Sequence, residues 1–186
     1  MTVIPEQRDR PLDDESIDGA TAHYASPREA DETDLSSALI FRLGSEWLAF
    51  PIALLDRVAH LPAVHSLPHR RGGTKAGLVN VGGDLVVHVS LAGLLGVEAG
   101  AASGDDARRR AVSRLVVLAD ARGRLALTVD EVWGVHHYGP GDLRPVPPTL
   151  ARAPSSFTTA MLPVDGRLAG CLDGDRVLDA LSVAIS

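Results

Sequence analysis

Three histidines crowd the stretch AHLPAVHSLPHRRGG: His60, His65 and His69. Imidazoles this close invite a metal, which needs three or four ligands converging on one point. Pro62 and Pro68 break any helix that would bring His65 and His69 to one face, so the cluster reads as loop and not as a zinc site. His88 stands apart, in VVHVS. Strand alternation places it with Val86 and Ser90, opposite Val87 and Val89. With no carboxylate or cysteine at a diagnostic spacing, it reads as a hydrogen-bonded or solvent-facing strand residue and not as a base or ligand. His136 and His137 are adjacent, so on a strand they point to opposite sides. Arg70-Arg71-Gly72-Gly73-Thr74-Lys75 offers cations and glycines to a phosphate, but it lacks the Walker spacing and no strand feeds into it. A solvated loop, open to an acidic protein partner, is the better reading. Its rival is a small β-barrel that binds a phosphate-bearing ligand or RNA through His69–Lys75. Asp130 and Glu131 are neighbours along the chain, which suits a turn or cap better than a catalytic pair. No nucleophile elbow, zinc-protease motif or paired-cysteine motif occurs. The expectation is no catalytic residue, no metal and no cofactor.

The wider composition agrees with a binding protein. The chain has 186 residues, 45% hydrophobic and 23% charged, which suits one or two globular units. Aromatics make up 4%, so Val, Leu, Ala and Ile must build the core. The net charge of −6, without a long basic block, argues against nucleic acid as a partner. Cys171 has no second cysteine to pair with and fits a reducing compartment. The opening MTVIPEQRDRPLDDES has no apolar h-region, and no window approaches 18 uninterrupted apolar residues. A cytoplasmic protein without membrane insertion is expected.

The elements that must position these side chains are short strands. Residues 1–36 are acidic and lack hydrophobic period, as a disordered tail does. EAGAASGDDARRRAVS (Glu98–Ser113) reads as an exposed linker, about residues 98–112. Between them lie two blocks, about 38–97 and 113–184, each a candidate barrel. Both pass through an apolar run, a turn near Gly44 or Gly123, a second apolar run, a proline stretch, a hairpin and a leucine-containing end. The offset is about 80 residues, so one strand-rich unit is present twice. Gly82-Gly83 and Asp165-Gly166 supply the positive φ of two-residue hairpin turns. Pro51 belongs at a strand end. Asp130 is expected to cap a short helical turn over EVWGV, and Val177–Ile185 to form a C-terminal helix. Trp47 and Trp133, one in each block, read as core or interface fillers.

Five ordered pieces carry a family resemblance: FRLGSEWLAFPIALLDRVAHLPAVHSLP, GLVNVGGDLVVHVSLAGLLG, LVVLADARGRLALTVDEVWGV, DLRPVPP and FTTAMLPVDGRLAGCLD. Together, over about residues 38–183, they resemble CheW, the bacterial chemotaxis coupling adaptor. LPHRRGG with NVGGDLVVHVSL further resembles the branch found in Wsp-type surface-sensing pathways. The resemblance implies an all-β fold with minor helices: two intertwined SH3-like five-stranded barrels and a C-terminal helix, over residues 37–184, with strands exchanged between barrels. It implies a scaffold that ties the cytoplasmic tip of a chemoreceptor to the regulatory domain of a CheA-type histidine kinase, recruited to membrane receptor arrays and open to self-association. Positions matching the family's receptor groove are Leu55, Val58, Asn80, Gly82 and Leu115. Those nearest its kinase-binding face are Val64, Leu67, Val79, Leu85 and Val87. The family's usual arginine at the hairpin is Gly82 here, and its usual aspartate after the hairpin is Ser90. If those two form a pair in the family, losing both together leaves no lone charge.

Overall fold

The computed structural model describes residues 35–66, 76–97, 112–148 and 157–185. Of the tail expected over 1–36, all but residues 35 and 36 lies outside the described residues, and Ser36 already begins the first strand; of the linker expected over about 98–112, all but residue 112 lies outside them. The described strands are β1 (Ser36–Leu43), β2 (Glu46–Pro51), β3 (Leu55–His60), β4 (His65–Ser66), β5 (Ala76–Val81), β6 (Asp84–Val89), β7 (Arg114–Asp120), β8 (Gly123–Val129), β9 (Glu131–Tyr138), β10 (Thr158–Val164) and β11 (Arg167–Leu172). A short helix α1 (Leu91–Leu95) follows β6, and α2 (Gly174–Ile185) ends the chain. The helical turn expected after Asp130 is not there. EVWGV belongs to β9, because its backbone groups pair with β1 along the length of that strand.

One sheet runs β10-β11-β2-β1-β9 and the other β3-β7-β8-β6-β5-β4. Hairpin β1–β2 therefore sits among strands of the C-terminal half, and hairpin β7–β8 among strands of the N-terminal half. The junctions that join the halves at β11–β2 and β6–β8 are parallel. This is the intertwined pair of SH3-like barrels, with a six-stranded sheet on one side because the two-residue β4 adds to its edge.

Continuous apolar runs mark strands that are buried on both faces. In β1, Ala38 and Ile40 point into one barrel with Ala49, Leu162, Val164, Ala169 and Cys171. Leu39, Phe41 and Leu43 point the other way. In β7, Leu115 and Val117 enter the second interior with Val79, Val81, Val86 and Ala126, while Val116 and Leu118 point out of it. The outward sets of both sheets meet. Leu39, Phe41, Phe50, Val116, Leu118, Leu127 and Val129 form the largest core, between the barrels. Helix α2 closes that core with Val177, Leu178 and Leu181, a spacing that puts all three on one face. Asp173 fixes where α2 begins: its carboxylate accepts the Arg176 N–H at 3.1 Å.

Leu118→Ala should cost about 2–5 kcal/mol, the usual penalty for truncating a buried leucine. Both tryptophans lie on the five-stranded sheet, whereas Leu118 lies on the other. Urea unfolding followed by tryptophan fluorescence should shift as far as unfolding followed by circular dichroism. A fluorescence transition left in place would show that the two barrels unfold independently.

Candidate functional site

The strand registers relate the two barrels position by position. Hairpins β1–β2 and β7–β8 close on Leu43↔Glu46 and Asp120↔Gly123, so Trp47 corresponds to Arg124. Hairpins β5–β6 and β10–β11 close on Val81↔Asp84 and Val164↔Arg167, so Asp84 corresponds to Arg167 and turn residue Gly82 to Asp165. Strands β3 and β9 each shift register at the same level, between Leu55 and Arg57 and between Val132 and Gly134. The bulged residues Asp56 and Trp133 therefore correspond.

These equivalent positions form one mouth on each barrel, with opposite chemistry. On the five-stranded barrel, Trp47 and Trp133 meet edge to face with ring centroids 6.0 Å apart. The Arg167 guanidinium lies 4.7 Å and 4.4 Å from the two rings. Trp133 Nε1 donates to Asp165 at 3.1 Å. An exposed cation over a ring contributes about 0.5–1 kcal/mol, so this cap fixes orientation more than it adds stability. On the six-stranded barrel the cation comes from β8: Arg124 Nη1 donates to Asp84 at 2.9 Å, and its Nε lies 3.5 Å from Asp56. Buried Arg124 Nε and Nη2 make no hydrogen bond. Arg57, beside the bulge, donates through Nε towards Asp56 at 3.3 Å, its one bond among the described residues. Its Nη1 lies 3.5 Å from where a Cβ on Gly82 would stand.

The residues matching the receptor groove collect on the six-stranded barrel. Val58 is exposed on β3, Leu55 is half-buried at its start, and Asn80 and Gly82 are exposed at the hairpin end. Leu115 lies wholly inside the barrel. Asn80 Oδ1 accepts the Gly83 N–H at 2.9 Å and so holds the turn. Of the residues matching the kinase face, Leu85 is 69% exposed and Val64 is 39% exposed. Val79 is interior. Val87 is half-buried on the wall of a groove of about 220 Å³ beside α2. Leu67, like His69–Lys75, lies outside the described residues. Asn80 and Leu85 are cross-strand partners, so the two matched faces abut at one hairpin. Sequence reasoning missed Val135 and Leu168, and left Trp133 between core and interface. All three are exposed on the five-stranded barrel.

The other singled-out residues have structural work. Asp130 accepts the Gly44 N–H at 2.6 Å, and Glu131 accepts from Arg42 Nε at 3.1 Å. They lock the β1–β2 turn onto the start of β9. Ser90 caps α1, its hydroxyl accepting the Gly93 N–H at 3.2 Å. That is a task serine and aspartate share, which explains the exchange at this position. Positions 82 and 90 stand at opposite ends of β6, about 20 Å of strand apart, so side chains there do not pair in this chain. Burial pushes the Cys171 thiol up to about 11, which keeps it protonated. Among the described residues, no three His, Cys, Asp or Glu side chains gather as a metal site. No helix among them is long and apolar enough to cross a membrane. His88 bonds Thr128 Oγ1 at 2.8 Å across the β6–β8 junction.

The class defined by these features is the double SH3-like barrel, tied by strand exchange and a shared core. Residues 37–182 match the family described as the CheW-like domain, and the chain belongs to that family, whose members are scaffolds and adaptors of chemotaxis signalling. Among solved structures, it is similar to the scaffolding protein TtCheW from Thermoanaerobacter tengcongensis. That likeness has 18% identity and a TM-score of 0.57, and covers 74% of this chain and 84% of the other. No curated protein matches the sequence.

Burial lowers the pKa of His88 below its ordinary 6.5, so the folded chain binds that proton less readily than the unfolded chain. Its contribution is complete above about 6.5 and declines as pH falls through that value. Urea midpoints should drop between about pH 7.5 and 5.5, and less so in His88→Gln. An unchanged pH dependence in that variant would place its origin elsewhere.

Proposed function

We propose that this chain is a non-catalytic adaptor that couples the cytoplasmic tip of a chemoreceptor to the regulatory domain of a CheA-type histidine kinase. It holds no cofactor and acts in the cytoplasm, where receptor arrays recruit it. The observation that carries this reading is the β5–β6 hairpin of a CheW-like barrel. Leu85 projects into solvent there, and Val58, Asn80 and Gly82 lie at the same barrel. The kinase face is assigned to Leu85 and Val64, with Leu67 extending it and Val79 and Val87 supporting it from within. The receptor face is assigned to Leu55, Val58, Asn80 and Gly82, with Leu115 beneath them.

An adaptor passes on a signal only if its contacts differ between signalling states. A stiff body suits that task. With the shared core holding the barrels in register, displacement at one face is carried to the other. Interfaces of about 1,000–1,600 Å² with few aliphatic anchors would each be modest, and an array strengthens them because later contacts become effectively intramolecular.

Leu85→Asp removes an exposed anchor without touching any of the three cores. Calorimetry against the kinase regulatory domain should show affinity reduced about tenfold or more, with circular dichroism and thermal midpoint unchanged. Full affinity in the folded variant would exclude this hairpin from the kinase face.

A further inference from the structure

The two mouths differ at one equivalent position in a way that leaves donors open. At the aromatic mouth, the first turn residue is Asp165, and its carboxylate accepts an N–H from the bulge of β9. At the ionic mouth, the same turn position is Gly82. No carboxylate stands there, yet the Arg57 guanidinium reaches to 3.5 Å from the Cβ position of that glycine. Its Nε is held by Asp56, which sets the direction of the group. Its two terminal nitrogens meet no acceptor among the described residues, and the side chain is 50% exposed. Arg124, in the same mouth, is held by Asp84 and Asp56, and its unbonded Nε and Nη2 are buried, so it adds charge and not donors that a partner could reach. Val58 on β3 and Leu85 on β6 are exposed on the same barrel.

From this geometry we infer that the six-stranded mouth is a binding site for a partner's carboxylate side chain, held end-on by the terminal nitrogens of Arg57. The bare Gly82-Gly83 turn gives it access. A planar guanidinium with two parallel N–H groups suits a carboxylate better than any neutral acceptor. The partner segment presents an Asp or Glu to Arg57, whose register partner Val117 faces the barrel interior, while Val58 faces the other side of β3. The acceptor that the aromatic mouth supplies from its own turn is supplied at the ionic mouth from outside. This inference rests on the adaptor reading and takes the receptor tip as the source of the carboxylate.

The internal duplicate also provides the test. Asp165 adopts φ of +46° at the position where Gly82 has +64°, so an aspartate is accommodated in this turn. Gly82→Asp should fill the site from within and pair with Arg57. The probes are the cytoplasmic tip fragment of a chemoreceptor from the same organism and, separately, the kinase regulatory domain. Gly82→Asp and Arg57→Ala should each weaken receptor-tip binding about tenfold or more, while Arg57→Lys retains part of it. Raising salt should weaken the unsubstituted chain and leave Gly82→Asp nearly unaffected. Circular dichroism must show both variants folded, and Arg57→Ala, which leaves the turn intact, covers the case in which Gly82→Asp does not fold. Undiminished receptor binding by folded Arg57→Ala overturns the site while the adaptor reading stands. Failure of the unsubstituted chain to bind either fragment overturns both.

Discussion

The apolar contact between the two sheets is the constraint from which the other features follow. Each barrel interior is small, filled by alanines, valines and a few leucines. Such interiors bury too little apolar surface to offset the ordering of their strands. The larger core between them joins Phe41 and Phe50 of one sheet to Leu118 and Leu127 of the other, and α2 covers it. That arrangement obliges β1, β7 and β8 to be apolar on both faces, which leaves polar and exposed residues for the barrel ends and outer strands. The surfaces open to partners therefore lie at mouths, hairpins and edges.

The same demand explains why the duplicate mouths were able to diverge. Positions 47, 133 and 167, and their counterparts 124, 56 and 84, sit at barrel ends, where no shared core restricts them. One set became two indoles around a guanidinium, the other two carboxylates around a guanidinium. The backbone frame did not change with them. Both mouths keep a bulge at the same register and a two-residue turn with positive φ. Geometry is held in common by the repeat, and chemistry is chosen locally.

Much of the fold was legible because hairpins declare themselves. Gly82-Gly83 and Asp165-Gly166 fixed two of them, and the stretches ALIF and LVVL identified the strands that run through the interior. Which half closes which sheet was not legible in spacing, since a strand's own sequence does not name its neighbour. It came from resemblance. The candidate site was read less well, for a related reason. Alternation separates inside from outside only where one face is wet. In LVVL both faces are apolar, so Leu115 looked as available as Val58 and Leu85, whereas in VNV the exposed Asn80 does mark Val79 and Val81 as inward, and Val79 was placed on a surface by resemblance alone. The bulges were also hidden, and with them the outward turn of Trp133 and the approach of Arg57 to Gly82. The helical turn expected after Asp130 failed because a capping residue before a short apolar stretch does not distinguish a helix from a strand that a distant partner will pair.

The exchange of hairpins has one further consequence. A polypeptide carrying a single copy of the repeated unit would hold one hairpin and the three strands that accept somebody else's. It could complete neither barrel alone. Two such polypeptides, each lending its first hairpin to the other, would reproduce both sheets and the core between them with two-fold symmetry. The present chain is in that sense a dimer written as one molecule, and one molecule, unlike a symmetric pair, can carry two unlike mouths.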